Sequence, residues 1–156
     1  MNAVAERSRT IRPLTREEIP LCFPSGLSFY AEVSLPGRFS AQHFQGSWER
    51  FYDLDMGVII GLWEGDAYIG GIGGILAPNP NTGDLTAVEC FWYILPSHRG
   101  ARKGIRLIEA FEKWAKGKGA SQLIMVFVHG RKDSQLDRLY ERMGFRVLET
   151  NYVKEI

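Results

Sequence analysis

Glu89 to Gly104 reads ECFWYILPSHRGARKG. An apolar, β-rich run closes at Leu95 and Pro96, a short basic loop follows, and a helical pattern begins. Gly100 to Lys116 carries Ile105, Ile108, Phe111 and Ala115 on one face, joined by Leu107 and Trp114, which predicts an amphipathic helix of about four to five turns. Gly117 and Gly119 stop it, and Gln122 to Val128 (QLIMVFV) is a near-continuous apolar run that suits a strand buried on both faces. The strands before and after the helix are therefore expected to be parallel, because their connection is a crossover. The loop carries the chemistry. A helix start has unpaired N–H groups and about half a positive charge, and glycine at 100 and 104 lets it approach a phosphate closely. Arg99, Arg102 and Lys103 add cationic side chains. Two readings stay open on these residues, a pyrophosphate cradle and a solvated basic loop with a helix cap. The loop is too short for a GxxxxGK[ST] phosphate loop. Gly70, Gly71, Gly73 and Gly74 lie inside a strand with no helix behind them, so close packing explains them better than a dinucleotide fingerprint.

Upstream, Gly57–Trp63 and Ala67–Leu76 flank a turn at Glu64-Gly65-Asp66, and a polar turn at 78–83 leads into Asp84–Leu95. This is an antiparallel meander. Phe39–Leu54 places Phe44, Trp48, Phe51 and Tyr52 at helical spacing with Ser40 as cap. Thr15 and Glu18 form a capping box for a helix expected to end between Pro20 and Pro24, Ile11–Leu14 predicts a short first strand, and Leu27–Leu35 fits strand or loop. Downstream, Ser134–Met143 reads as a helix closed by Gly144, and Phe145–Leu148 and Tyr152–Ile156 as two last strands. The fold class is a single-domain α/β arrangement over residues 11–156, a mixed and mostly antiparallel sheet flanked by helices, after a loose polar segment at 1–10.

Composition bounds the function. With 156 residues, 45% hydrophobic and 24% charged, the chain has the size and balance of one globular domain. No apolar run approaches the ~18–20 residues of a membrane helix, and the N-terminus lacks the apolar core of a secretory signal. Nineteen Lys and Arg against eighteen Asp and Glu give a net charge of +1, which argues against nucleic acid as partner. Cys22 and Cys90 form no CxxC pair, and His43, His98 and His129 have no metal-ligand spacing, so neither a disulfide framework nor a metal site is expected. A cytoplasmic location fits this.

Three blocks in order resemble the GNAT N-acetyltransferase superfamily: YILPSHRGARKGIRLIEAFEKWAKGKGA, LYERMGF at Leu139–Phe145, and the closing NYVKEI. The first is also similar to small acetyltransferases carried by bacteriophages. The resemblance spans Ile11 to Ile156 and implies a central splayed parallel strand pair, with acetyl-CoA as co-substrate and no metal. It implies direct transfer of the acetyl group to a primary amine, of a small molecule or a protein, in a ternary complex. Carried over residue by residue, the cofactor loop is Arg99, Gly100, Ala101, Arg102, Lys103 and Gly104. Ile94 and Leu95 would offer backbone hydrogen bonds to the pantetheine arm beside a strand bulge. Arg102 departs from the family, which has glycine there. That departure motivates an alternative, a catalytically silent CoA-binding module acting through a partner. Glu89 is the candidate base, or else a solvated or ion-paired carboxylate. Tyr140 is the candidate acid, or else a core aromatic. Asp133 stands where relatives have Asn and no role is transferred, and His129 is an alternative base or else, as a lone histidine at a strand end, a surface or hydrogen-bonded residue. The first two helices and the meander would form the acceptor side, where Glu49, Asp53, Asp55 and Asp84 either attract an amine or face solvent. Dimers are common in the family.

Overall fold

The computed structural model describes residues 9–33, 35–100, 102–128 and 133–156. Ala101 and His129 lie outside the described residues. The chain falls into two compact units, Met1–Val126 and Phe127–Ile156.

The first unit is built on a five-stranded sheet in the order β1-β2-β3-β4-β5. Its strands are β1 (Arg9–Pro13), β2 (Gly57–Glu64), β3 (Ala67–Pro78), β4 (Leu85–Ile94) and β5 (Gln122–Ile124). The first four are antiparallel neighbours, and β4 and β5 run parallel. A 3-10 turn, Arg16–Cys22, runs into α1 (Phe23–Glu32), and α2 (Ala41–Asp53) follows; a second 3-10 turn, Pro96–His98, precedes α3 (Lys103–Gly117). The Ser40 hydroxyl accepts the His43 N–H at 3.3 Å and so caps α2 as expected. The Glu18 carboxylate accepts the Thr15 N–H at 2.9 Å.

The segment around Leu27 departs from its reading as strand or loop. Residues 23–32 are helical, because Pro24 occupies the first turn, where its missing N–H costs no hydrogen bond. The first helical segment stops at Cys22, between Pro20 and Pro24 as expected, and Pro24 also starts the next helix. The Ser25 hydroxyl adds a bond to the Cys22 carbonyl at 2.8 Å.

Strand alternation sorts the core into two layers. Ile59, Gly73 and Phe91 form one row across β2, β3 and β4; Val58, Gly74 and Glu89 form the next. A Cβ on Gly73 would enter the Phe91 ring, and one on Gly74 would enter the Phe111 ring of α3. Gly73 and Gly74 are therefore packing glycines, each admitting an aromatic ring on its own face. Trp48 of α2 joins Leu14, Ile19, Cys22, Ile59 and Trp63 in one cluster, with Phe44, Phe51 and Phe91 against it. Leu107, Ile108 and Phe111 of α3 are fully buried.

β5 is shorter than the apolar run at 122–128 predicts and is not buried on both faces, Gln122 being exposed and Leu123 and Ile124 half-buried. Its ladder with β4 ends because β4 turns away, as described below. The second unit holds α4 (Asp133–Arg142). Phe145–Leu148 and Tyr152–Ile156 have strand composition but adopt no strand, and Val147, Tyr152 and Val153 are exposed. A strand exists only through a partner, and none pairs with these segments among the described residues. No described helix is long and apolar enough to cross a membrane.

Replacing Gly74 by Ala forces a methyl group into the fixed ring of Phe111. We expect a loss of about 1–3 kcal/mol, read as a lower urea midpoint; an unchanged midpoint would contradict this packing.

Candidate functional site

The site begins with one extra residue. Gly73 stands opposite Phe91 and Gly74 opposite Glu89, so Cys90 is an unpaired insertion in β4. A bulge bends its strand and sharpens the local twist. β4 and β5 share rungs only at Thr86/Gln122, Ala87/Leu123 and Val88/Ile124. Immediately past these rungs comes the bulge, and the two strands part. The bulge lies at Cys90, upstream of Ile94 and Leu95 where the family resemblance puts it.

Parting two strands leaves backbone N–H groups without ladder partners. The Val126 N–H is taken up by the Glu89 carboxylate at 2.9 Å. Glu89 is only 6% exposed. Burial pushes its carboxyl up to about 7, and the Val126 N–H offsets part of that rise. A carboxyl titrating near neutrality is suited to exchange protons with a bound group. Glu89 has no ion-pair partner among the described residues; its carboxylate is buried and held by a backbone donor.

The loop beyond β4 handles its cations unevenly. Arg99 forms a two-pronged pair with Glu32 at 2.8 Å on each arm, and its Nε donates to the Ile94 carbonyl at 2.8 Å. Lys103 is buried, and its Nζ donates to the His98 carbonyl at 2.5 Å. His98 Nδ1 in turn sits 3.1 Å from Glu64. Arg99 and Lys103 thus brace the loop from inside. The Leu95 N–H donates to the Ile69 carbonyl at 3.0 Å, and the Leu95 carbonyl accepts from His98 at 2.9 Å.

Arg102 explains its own departure from glycine. It has φ 62° and ψ 8°, in the left-handed region, immediately before α3, and Gly100 has φ 106°. A left-handed residue followed by helical ones turns successive N–H groups toward one concavity, an anion-binding nest. Arginine adopts here the backbone that glycine adopts freely. Among the described residues no side chain caps α3; the Lys103 N–H donates to the Gly100 carbonyl at 3.3 Å, and the N–H groups of Gly104 and Ile105 are the remaining donors of the helix start. Gly104 has another reason to be glycine: a Cβ there would meet Trp92 Cζ2 at 2.7 Å.

In the second unit Tyr140 is buried on α4, its ring 5.5 Å from that of Phe145. On the acceptor side, Asp53 and Glu49 pair with Arg16 at 2.9 and 3.5 Å, and Asp55 with Lys118 at 2.6 Å. Asp84, the fourth candidate carboxylate, forms no ion pair among the described residues. Sequence reasoning missed Glu32 and Tyr93, because the residues they hold lie far away in the chain and no local pattern announces the contact. Among the described residues no group of His, Cys, Asp and Glu side chains is placed to hold a metal ion.

The sequence profile of the acetyltransferase (GNAT) family matches residues 26–145. No curated protein sequence matches. Among solved structures, a predicted acetyltransferase from Clostridium acetobutylicum, determined with acetyl-CoA, is similar with a TM-score of 0.76 at 14% identity, covering 96% of each chain. An aminoglycoside acetyltransferase from an uncultured soil metagenomic sample gives 0.74 at 15%, covering 96% of this chain and 99% of that one. Glucosamine-6-phosphate N-acetyltransferase from Arabidopsis thaliana gives 0.72 at 15%, covering 95% and 98%.

Two outcomes follow from this geometry. The folded carboxyl of Glu89 titrates above its ordinary value, so the folded state binds the proton more tightly than the unfolded chain. Its contribution is greatest below about pH 4.5 and is lost as pH rises to about 7, on the order of 3 kcal/mol. The stability of Glu89→Gln relative to wild type should therefore rise across that window in urea titrations; a flat difference would contradict the burial. At position 102, unfolding free energy should rank Gly above Arg above Val, Arg102→Gly gaining up to about 1 kcal/mol; a rank with Val first would exclude the left-handed backbone.

Proposed function

The chain belongs to the GNAT acetyltransferase family, and we propose that it transfers the acetyl group of acetyl-CoA to a primary amine within a ternary complex. The observation that carries this reading is the parted β4–β5 pair with the Glu89 carboxyl buried in it. The start of α3 supports it, having a nest-forming backbone at Arg102 and no side-chain cap. These features fit a diphosphate, which needs several backbone donors and little side-chain bulk.

When bound, acetyl-CoA supplies an acetyl group activated as a thioester. Residues 99–104 would hold its diphosphate, chiefly through the backbone, since Arg99 and Lys103 are engaged within the protein. Ile94 and Leu95 would line the arm with their remaining backbone groups. An amine is protonated at neutral pH, and Glu89 in its ionised form removes that proton and frees the lone pair, directly or through water. Tyr140 is the acid offered by the LYERMGF block, its hydroxyl giving a proton to the departing thiolate. The silent-module alternative loses its motive, because Arg102 keeps the backbone shape that glycine provides. The acceptor is an amine of a small molecule or a protein; Glu49, Asp53 and Asp55 are already paired and are not what draws it in.

Acetyl-CoA should raise the melting temperature, and thiol release over a panel of amines should then identify an acceptor. With that acceptor, kcat should climb with pH through about 7, the value to which Glu89 is pushed. Glu89→Gln should lose about 10²–10⁴-fold in kcat, and Tyr140→Phe should lower kcat with KM little changed. A melting shift without thiol release from any amine would leave a binding module, and no shift at all would refute the reading.

A further inference from the structure

Glu32 closes α1, and two side chains from separate parts of the chain, Arg99 and Tyr93, meet on it. Both terminal nitrogens of Arg99 donate to its two oxygens at 2.8 Å, and the Tyr93 hydroxyl of β4 donates to Oε2 at 2.8 Å. The guanidinium carbon of Arg99 stands 5.0 Å from the Tyr93 ring centroid. Phe29 of α1 packs edge-on against the same ring at 5.7 Å. The fork fixes the plane of the guanidinium as well as its distance. That plane aims Nε at the carbonyl of Ile94, the last residue of β4, at 2.8 Å.

A surface ion pair by itself contributes little, and these side chains are 26% and 40% exposed. The third bond is what gives the arrangement a purpose. It determines which way the final peptide of β4 faces, at the strand end along which the arm of acetyl-CoA is proposed to lie. The same fork keeps the Arg99 charge on Glu32, so the diphosphate is left to the backbone at the start of α3. We infer that Glu32 is a positioning residue for acyl transfer: through Arg99 and Tyr93 it orients the end of β4 that receives the arm of acetyl-CoA, and it ties α1 to that strand. This inference rests on the acetyl-CoA reading above.

The roles of arm and nucleotide separate by ligand. Isothermal titration of wild type, Glu32→Gln and Tyr93→Phe with acetyl-CoA and with its nucleotide half, 3′-phospho-ADP, distinguishes them. Glu32→Gln removes one charge-assisted fork and should weaken acetyl-CoA about tenfold. It should leave 3′-phospho-ADP within about twofold, because α3 is untouched. Tyr93→Phe, a milder change that leaves the fork in place, should weaken acetyl-CoA about threefold with the same selectivity. In turnover, Glu32→Gln should raise KM for acetyl-CoA and leave the pH profile where it was, since Glu89 is unaltered. Equal weakening of both ligands would reduce Glu32 to a general structural tether, and tighter 3′-phospho-ADP binding would make Arg99 a phosphate ligand that Glu32 holds back; either overturns the inference. Wild-type binding of acetyl-CoA with no change in Glu32→Gln overturns it alone. Wild-type protein that binds neither ligand overturns the acetyl-CoA reading and this inference with it.

Discussion

One hydrogen bond makes the parting of β4 and β5 tolerable: the Val126 N–H into the carboxylate of Glu89. Two parallel strands that separate inside a core leave backbone groups with neither ladder nor water, at a cost of a few kcal/mol each unless another group supplies the bond. A side chain supplies it here, and the only way to reach the gap is to be buried in it. The burial that satisfies the backbone is the burial that lifts the carboxyl toward neutrality. Fold stability and proton-transfer capacity therefore oppose each other at one residue, since the ionised form that a base needs is the form the interior disfavours. Such a conflict between local stability and chemistry is characteristic of working sites.

The loop after β4 follows a similar economy. Its sequence is rich in cations, yet Arg99 and Lys103 point into the protein's own acceptors. Charge is used to shape the loop, and the backbone is left for the diphosphate that we propose it holds. Arg102 is the clearest case: its contribution is a left-handed φ of 62°, a conformation costing about 1–2 kcal/mol in a residue with a Cβ. A non-glycine residue kept there signals that the turn itself is needed.

Much of this was legible from periodicity. The meander, α2 with its Ser40 cap, α3 and the parallel β4–β5 connection all follow from apolar spacing and punctuation, and Glu89 stood out by the family resemblance together with its place in the strand entering the loop. What was not legible depended on distant partners. FPSGLSFYAE is poor helix material by composition, and it is helical because Pro24 suits a first turn and Phe29 and Glu32 find Tyr93 and Arg99. Gly104 looked like a glycine for phosphate approach, while its neighbour is the Trp92 indole. The strand bulge was expected near Ile94 and lies at Cys90, because only the pairing with β3 reveals which residue is extra. The apolar residues after Phe145 have strand character with no strand partner among the described residues, a reminder that β-propensity expresses a fit to neighbours.

The account stands or falls on whether the start of α3 receives a diphosphate through its backbone. Amide resonances of isotopically labelled protein, followed as CoA is added, report this directly. The amides of Arg102, Gly104 and Ile105 should move most, downfield as they gain an anionic acceptor, while the side-chain signals of Arg99 stay in place. Amides at the start of α3 that remain unmoved at saturating CoA would contradict it.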